Sequence, residues 1–128
     1  MVTVKERVWS ATLSIGGRVM LNLSGKTAFV FGVASEDSIA WAICKMLADN
    51  GVNLYLGYQK RFRSRIFQLK DKLPQIAGFY PLDVSTDEDT KEFFDAFSKE
   101  NPGKKADILI HAIGFAPRTC FDRPILFV

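Results

Sequence analysis

The run from Thr27 to Leu47 constrains this chain more than any other stretch. Its first five residues, Thr27-Ala28-Phe29-Val30-Phe31, are β-formers or apolar, too short for a helix and suited to a buried strand. Gly32 breaks the run. A polar loop leads to Ser38, whose hydroxyl suits the N-cap of a helix starting at Ile39. Apolar residues at 39, 42, 43, 46 and 47 then recur at helical spacing, and Gly51 stands where a helix commonly ends in a left-handed residue. Strand, glycine turn and helix start in succession aim free backbone N–H groups and the positive end of the helix dipole at the loop. That is the arrangement that binds the pyrophosphate of a dinucleotide. The G-x-G-x-x-G fingerprint is absent, since Ala34 stands where the second glycine belongs; a βα unit without a ligand is the other reading.

The string itself is more specific. Gly32-Val33-Ala34, then three residues, then Ser38-Ile39-Ala40-Trp41-Ala42-Ile43 resembles the nucleotide loop of the enoyl-acyl carrier protein reductases, a divergent branch of the short-chain dehydrogenase/reductases. The resemblance implies that the small Gly32 and Ala34 let the chain approach the phosphates, and that Ser38 and Ile39 contact the pyrophosphate.

Downstream residues continue the alternation. Val52 to Tyr58 is predicted as the second strand, ending at Gln59. An acid about 20 residues after the glycine turn would bond the adenosine ribose of NAD. None is present, but Gln59 can bond ribose hydroxyls, and the family's NADH-using members carry glutamine there. Lys60 and Arg61 behind it could neutralise a 2′-phosphate instead, or open the next helix facing water; NADH is the cofactor expected, with NADPH as the alternative. Residues 61–73 read as a basic amphipathic helix with Phe62, Ile66, Leu69 and Leu73 on one face, stopped by Pro74. Gly78 to Val84 reads as the third strand. Asp83-Val84 follows the family pattern, in which the aspartate bonds the adenine amino group and the next backbone N–H assists; an aspartate capping a turn is the alternative. Ser85-Thr86-Asp87-Glu88 reads as a capping box for a helix running to about Asn101 that buries Phe93, Phe94 and Phe97. Ala106 to Ala112 is the fourth strand. Ile113-Gly114-Phe115-Ala116-Pro117-Arg118 resembles the family's strand-end loop beneath the nicotinamide ribose, which implies that role for Ala112, Ile113 and Gly114. His111, the single histidine, falls in a buried-strand pattern and is given no catalytic part.

Four strands and three helices therefore predict an α/β fold: the first half of a Rossmann-like, doubly wound parallel sheet, order 3-2-1-4. At 128 residues and 48% hydrophobic content, one domain is expected. Residues 1–22 are basic and acid-poor and are expected to be a poorly ordered extension, with Met20 the natural start; a transit peptide is the other reading. Residues 23–128 match the N-terminal half of the family's dinucleotide-binding domain. The net charge of +3 is modest. Only Lys60-Arg61-Phe62-Arg63-Ser64-Arg65 concentrates it, as a solvated helix face or a site for an anionic ligand or carrier. No nucleic-acid motif accompanies that charge, and no apolar run reaches the roughly 18 residues of a membrane span. Cys44 and Cys120 lack metal-ligand spacing and read as reduced cytoplasmic thiols.

The family uses a tyrosine separated by six residues from a lysine, and its wider superfamily a separation of three. From Tyr55, Tyr58 and Tyr80 these spacings reach Phe62, Arg65 and Asp87, or Gln59, Phe62 and Val84. No catalytic residue is therefore assigned. The resemblance implies a fragment of an enoyl-acyl carrier protein reductase, inactive alone. The complete enzyme would be a homotetramer that moves hydride from a nicotinamide cofactor to a carrier-linked enoyl thioester in fatty-acid synthesis. A non-enzymatic dinucleotide-binding half-domain, or another short-chain reductase cut before its catalytic residues, is the alternative.

Overall fold

The computed structural model describes residues 12–15, 18–122 and 124. β1 (Thr12–Ile15) and β2 (Arg18–Leu21) pair antiparallel as a small sheet of their own. Part of the segment expected to be poorly ordered is thus paired. Gly16-Gly17, which interrupts any helix, is also a two-residue hairpin signal in the sequence. Residues 1–11 and 16–17 of that extension lie outside the described residues.

The main sheet is built from β3 (Thr27–Phe31), β4 (Asn53–Tyr58), β5 (Ile76–Pro81) and β6 (Ile108–His111). All neighbours are parallel and the order is β5-β4-β3-β6, which is the predicted 3-2-1-4. β3 is central, with Ala28 opposite Leu54 on one side and Ile108 on the other, and all five of its residues are buried. Because side chains alternate across a strand, β3 feeds two cores. Ala28 and Val30 join Leu54, Leu56, Trp41, Cys44 and Ile66 beneath α1 (Ile39–Asp49) and α2 (Arg63–Leu69). Phe29 and Phe31 join Tyr55, Tyr80, Phe93 and Phe97 beneath α3 (Asp87–Glu100). This second core is knit by edge-to-face rings. Phe29 meets Phe97 at 4.7 Å between centroids and Phe31 meets Phe93 at 5.0 Å, pairs that add about 0.5–1.5 kcal/mol each beyond area burial.

Several elements differ in detail from expectation. The buried stripe of α1 is Ala40, Trp41, Cys44, Leu47 and Ala48, whereas Ile39 and Met46 are exposed. A helix apolar on most of its circumference does not fix its own rotation; burying Trp41 and laying the small Ala40 and Ala48 against the core does. The helix expected over 61–73 is α2 flanked by 3₁₀ turns at Lys60–Phe62 and Lys70–Lys72, with Ile66 and Leu69 buried as expected. β5 begins at Ile76 and ends at Pro81. Leu82 to Val84 leave the ladder, although the Leu82 N–H still donates to the Tyr58 carbonyl at 2.8 Å. Thr86, not Ser85, caps α3 by accepting the Asp89 N–H at 3.2 Å, because the helix starts at Asp87 and Thr86 is the extended residue just before it, while the Ser85 hydroxyl donates to Asp83. Phe94 on α3 is 40% exposed rather than buried. Among the described residues no helix is long and apolar enough to cross a membrane.

Candidate dinucleotide site

Two adjoining clefts open at the C-terminal ends of β3, β4, β5 and β6. The larger, about 680 Å³, is lined by Gln59, Lys60, Arg61, Asp83, Val84 and Ile113 among others. The smaller, about 230 Å³, takes in Gly32, Ala34, Gln59, Ala112, Ile113 and Gly114. Gln59, Arg61, Leu82 and Ile113 line both. The chain leaves β3 toward β4 on one side and pairs with β6 on the other, so the clefts sit at the topological switch point where doubly wound sheets take ligands. Eight of the ten residues singled out from the sequence line these clefts. Ser38 and Ile39 line neither; Ser38 is the N-cap and Ile39 the first residue of α1.

Gly32 forms part of the floor. Its φ of +109° is a conformation that L side chains rarely adopt, and a Cβ built there would lie 2.2 Å from the Ala112 carbonyl oxygen and 2.6 Å from its carbon. The neighbour that demands glycine here is the backbone of β6's exit, which is also held by the Ala112 N–H donating to the Phe31 carbonyl at 2.9 Å. Gly114 is the opposite case: a Cβ there meets nothing within 4 Å, so open space lies above it.

At the start of α1, Ser38 caps the helix by accepting the Trp41 N–H at 3.3 Å, while its hydroxyl donates to the Ser35 carbonyl at 2.7 Å. Among the described residues the first-turn N–H groups of Ile39 and Ala40 meet no protein acceptor, as expected at a helix start. The exposed Ile39 stands beside them.

Gln59 leaves β4 and its Oε1 accepts the Arg61 Nε–H at 2.8 Å, while the Arg61 guanidinium lies 4.6 Å from the Phe62 ring centroid. Arg61 is therefore turned along the clefts, a placement the helix pattern alone does not reveal. Asp83 accepts from the Ser85 hydroxyl at 2.6 Å and the Ser85 N–H at 3.0 Å. These bonds, with help from the Arg61 and Lys60 charges, hold its carboxyl below the usual carboxylate range. Leu82, Gly57 and Phe115 also line the clefts without having been singled out. Leu82 falls inside the strand predicted over Gly78 to Val84, whereas β5 ends at Pro81 and frees it to line the clefts. Gly57 was hidden because it lies inside a strand, where a Cβ would meet Phe31 at 2.7 Å and Leu82 at 2.8 Å.

His111 lies on β6 with its side chain exposed, not buried as its strand pattern suggested. The fold does bring one tyrosine to one lysine: Lys104 Nζ donates to Tyr55 Oη at 3.1 Å, and that hydroxyl donates to Asn101 Oδ1 at 2.9 Å. Asn101 caps the C-terminus of α3, at the opposite end of the sheet from the clefts, so this contact fastens α3 and takes no part in the site.

A profile of the enoyl-(acyl carrier protein) reductases matches residues 32–126. The chain belongs to the enoyl-(acyl carrier protein) reductase family. Among its reductase relatives, the NADH enzyme FabI of Nostoc is 38% identical over 104 residues, covering 77% of this chain and 39% of the relative. The NADPH enzyme FabI of Staphylococcus aureus is 35% identical over 99 residues, covering 76% and 38%. The solved enoyl reductase of Aquifex aeolicus superposes with a TM-score of 0.73 at 33% identity, over 83% of this chain and 46% of that one. That of Anaplasma phagocytophilum, in complex with NAD, gives 0.73 at 26% identity, over 83% and 40%. The chain thus spans about two fifths of the length of the curated reductases it matches.

Proposed function

We propose that this chain forms the nicotinamide-dinucleotide-binding half of an enoyl-acyl carrier protein reductase. The whole protein would transfer hydride from NAD(P)H to the double bond of a carrier-linked enoyl thioester in fatty-acid biosynthesis. The observation that carries this reading is the pair of clefts at the switch point, joined through Gln59, Arg61, Leu82 and Ile113, in a member of the reductase family. When bound, the reduced nicotinamide would supply the hydride. The residues present fit such a ligand. The N–H groups at the start of α1, with Ser38 and Ile39, suit the pyrophosphate. Asp83, kept ionised by Ser85, is ready to accept the adenine amino group, with the Val84 backbone beside it. Gln59 keeps its amide N–H groups for ribose hydroxyls. The open space above Gly114, with Ala112 and Ile113, suits the nicotinamide ribose.

The chain carries no tyrosine and lysine at the family's separation, and the Tyr55–Lys104 contact lies away from the clefts. The enolate-like charge that develops during reduction would find no preorganised donor in these residues, so turnover by this chain alone is not expected.

NADH is the cofactor proposed, because the neutral Gln59 directly follows β4 and lines both clefts, where the family's NADH-using members carry glutamine for the ribose. The Arg61 guanidinium along both clefts favours a second reading, in which a 2′-phosphate gains charge-assisted hydrogen bonds and NADPH is preferred. Calorimetric titration of the folded chain with NADH and NADPH tests both readings. Tighter NADH binding is expected, with little change in Lys60→Ala/Arg61→Ala. An NADPH preference that disappears in the double variant would transfer the choice to the cations. Binding of neither dinucleotide would overturn the functional proposal.

A further inference from the structure

Two carboxylates stand in the loop that leads to the start of α1. Glu36 and Asp37 lie between Ala34, which lines the smaller cleft, and Ser38, the cap of α1. The free N–H groups and dipole of a helix start favour negative charge, and adjacent carboxylates work against a second anion arriving there. One of the two is answered from another part of the chain. Lys72, in the 3₁₀ turn Lys70–Lys72 that follows α2, donates to Glu36 Oε1 and forms an ion pair with it across 36 residues of sequence. The ion pair joins the loop after β3 to the connection between β4 and β5, two segments that the sheet does not itself tie together.

We infer that Lys72 is a positioning residue for dinucleotide affinity: by neutralising Glu36 it keeps the phosphate loop receptive to a pyrophosphate. The inference rests on the dinucleotide reading above. The Lys72 and Glu36 side chains are 47% and 55% exposed, so water screens the pair and its effect is that of a surface charge rather than a buried one. Losing the Lys72 charge is expected to weaken binding by roughly two- to fivefold, the scale of an exposed ion pair.

The test measures dissociation constants of ADP-ribose, which carries the pyrophosphate, and adenosine, which does not. The proteins are the wild-type chain, Lys72→Met, Glu36→Gln and the double variant. Methionine keeps the alkyl stem of the lysine, and both positions are exposed, so circular dichroism should show folded proteins throughout. Lys72→Met should weaken ADP-ribose severalfold at low salt, with the loss shrinking as salt is raised, and leave adenosine unchanged. Glu36→Gln should bind ADP-ribose at least as well as wild type, and adding it to Lys72→Met should restore affinity. Equal ADP-ribose affinity in wild type and Lys72→Met overturns the inference and leaves the site assignment standing. A double variant as weak as Lys72→Met also overturns it, since the pair would then act by geometry rather than charge. A wild-type chain that binds no ADP-ribose removes the dinucleotide reading on which the inference stands.

Discussion

Replacing Gly32 by alanine tests the close approach beneath the clefts. The substitution acts in two ways. At φ +109° a side chain is strained whatever the surroundings, a cost of about 1–3 kcal/mol. The added Cβ would also meet the Ala112 carbonyl oxygen at 2.2 Å, far inside contact distance, and that neighbour is backbone that cannot rotate away. Overpacking of this kind costs typically 1–3 kcal/mol as the surroundings shift. The two together give about 2–6 kcal/mol, against a total of about 5–15 kcal/mol for an ordinary domain. Gly25→Ala and Gly103→Ala supply the control. Their φ values are +77° and +74°, and a Cβ at either meets nothing within 4 Å, so each should lose only the left-handed backbone term of about 1–2 kcal/mol. Urea denaturation of the three variants, read as midpoint and slope, separates the contributions. Gly32→Ala should be the least stable by about 1–3 kcal/mol, and ADP-ribose affinity should fall even where the variant is fully folded, because relief of the clash moves Ala112 and Ile113. If Gly32→Ala costs no more than Gly25→Ala, β6's exit yields freely and the floor is not set by this contact.

Two further outcomes follow from buried groups. Burial and the 2.6 Å bond to Glu100 push the Tyr80 hydroxyl up to about 12, so its neutral form is favoured in the folded state. Its stabilising contribution is fully present below pH 10 and drains away between 10 and 12; Tyr80→Phe should lose that alkaline dependence, as followed by circular dichroism, and an unchanged pH profile would refute it. Burial pushes the Cys44 thiol up to about 12, whereas Cys120 lies half-buried in the 3₁₀ turn Arg118–Cys120. Ellman's reagent should therefore modify Cys120 readily and Cys44 only after denaturant is added; equal native-state rates would show that α1 opens more easily than its packing implies.

The sheet, and the residues that line its clefts, were legible because they rest on strong local signals. Thr27 and four apolar residues before Gly32, Ser38 before an apolar helix, and Gly51 after it determine β3 and α1 almost residue by residue. The loop strings around Gly32 and Gly114 fall at the end of the sheet where the two clefts open. What escaped was whatever depends on rotation or on distant neighbours. The buried face of α1 is chosen by the sheet below it, and Ile39 and Met46 belong to the same apolar pattern as Leu47 yet face outward. The end of β5 is decided by which carbonyls of β4 remain to be paired, not by the β-propensity of Leu82 and Val84. The Lys72–Glu36 and Tyr55–Lys104 contacts join segments 36 and 49 residues apart, which no local pattern encodes.

The place of β6 in the sheet also bears on how the molecule assembles in time. β3 meets β4 after a single helical crossover, but it meets β6 across 80 residues, sealed at one end by the Thr27 N–H bonding Asp107 Oδ2 at 2.9 Å and at the other by Ala112 against Phe31. Closing the longer loop costs more chain entropy, and its reward comes only once both strands are formed. The β3–β4–β5 unit with α1 and α2 is therefore expected to form first and β6 to dock last. In pulsed hydrogen exchange during refolding, the amides of Leu54 and Leu56 should gain protection ahead of those of Asp107 and Ala112. The floor of the clefts, where Gly32 meets Ala112, is then the last surface completed, so the clefts take their shape only with the final folding step.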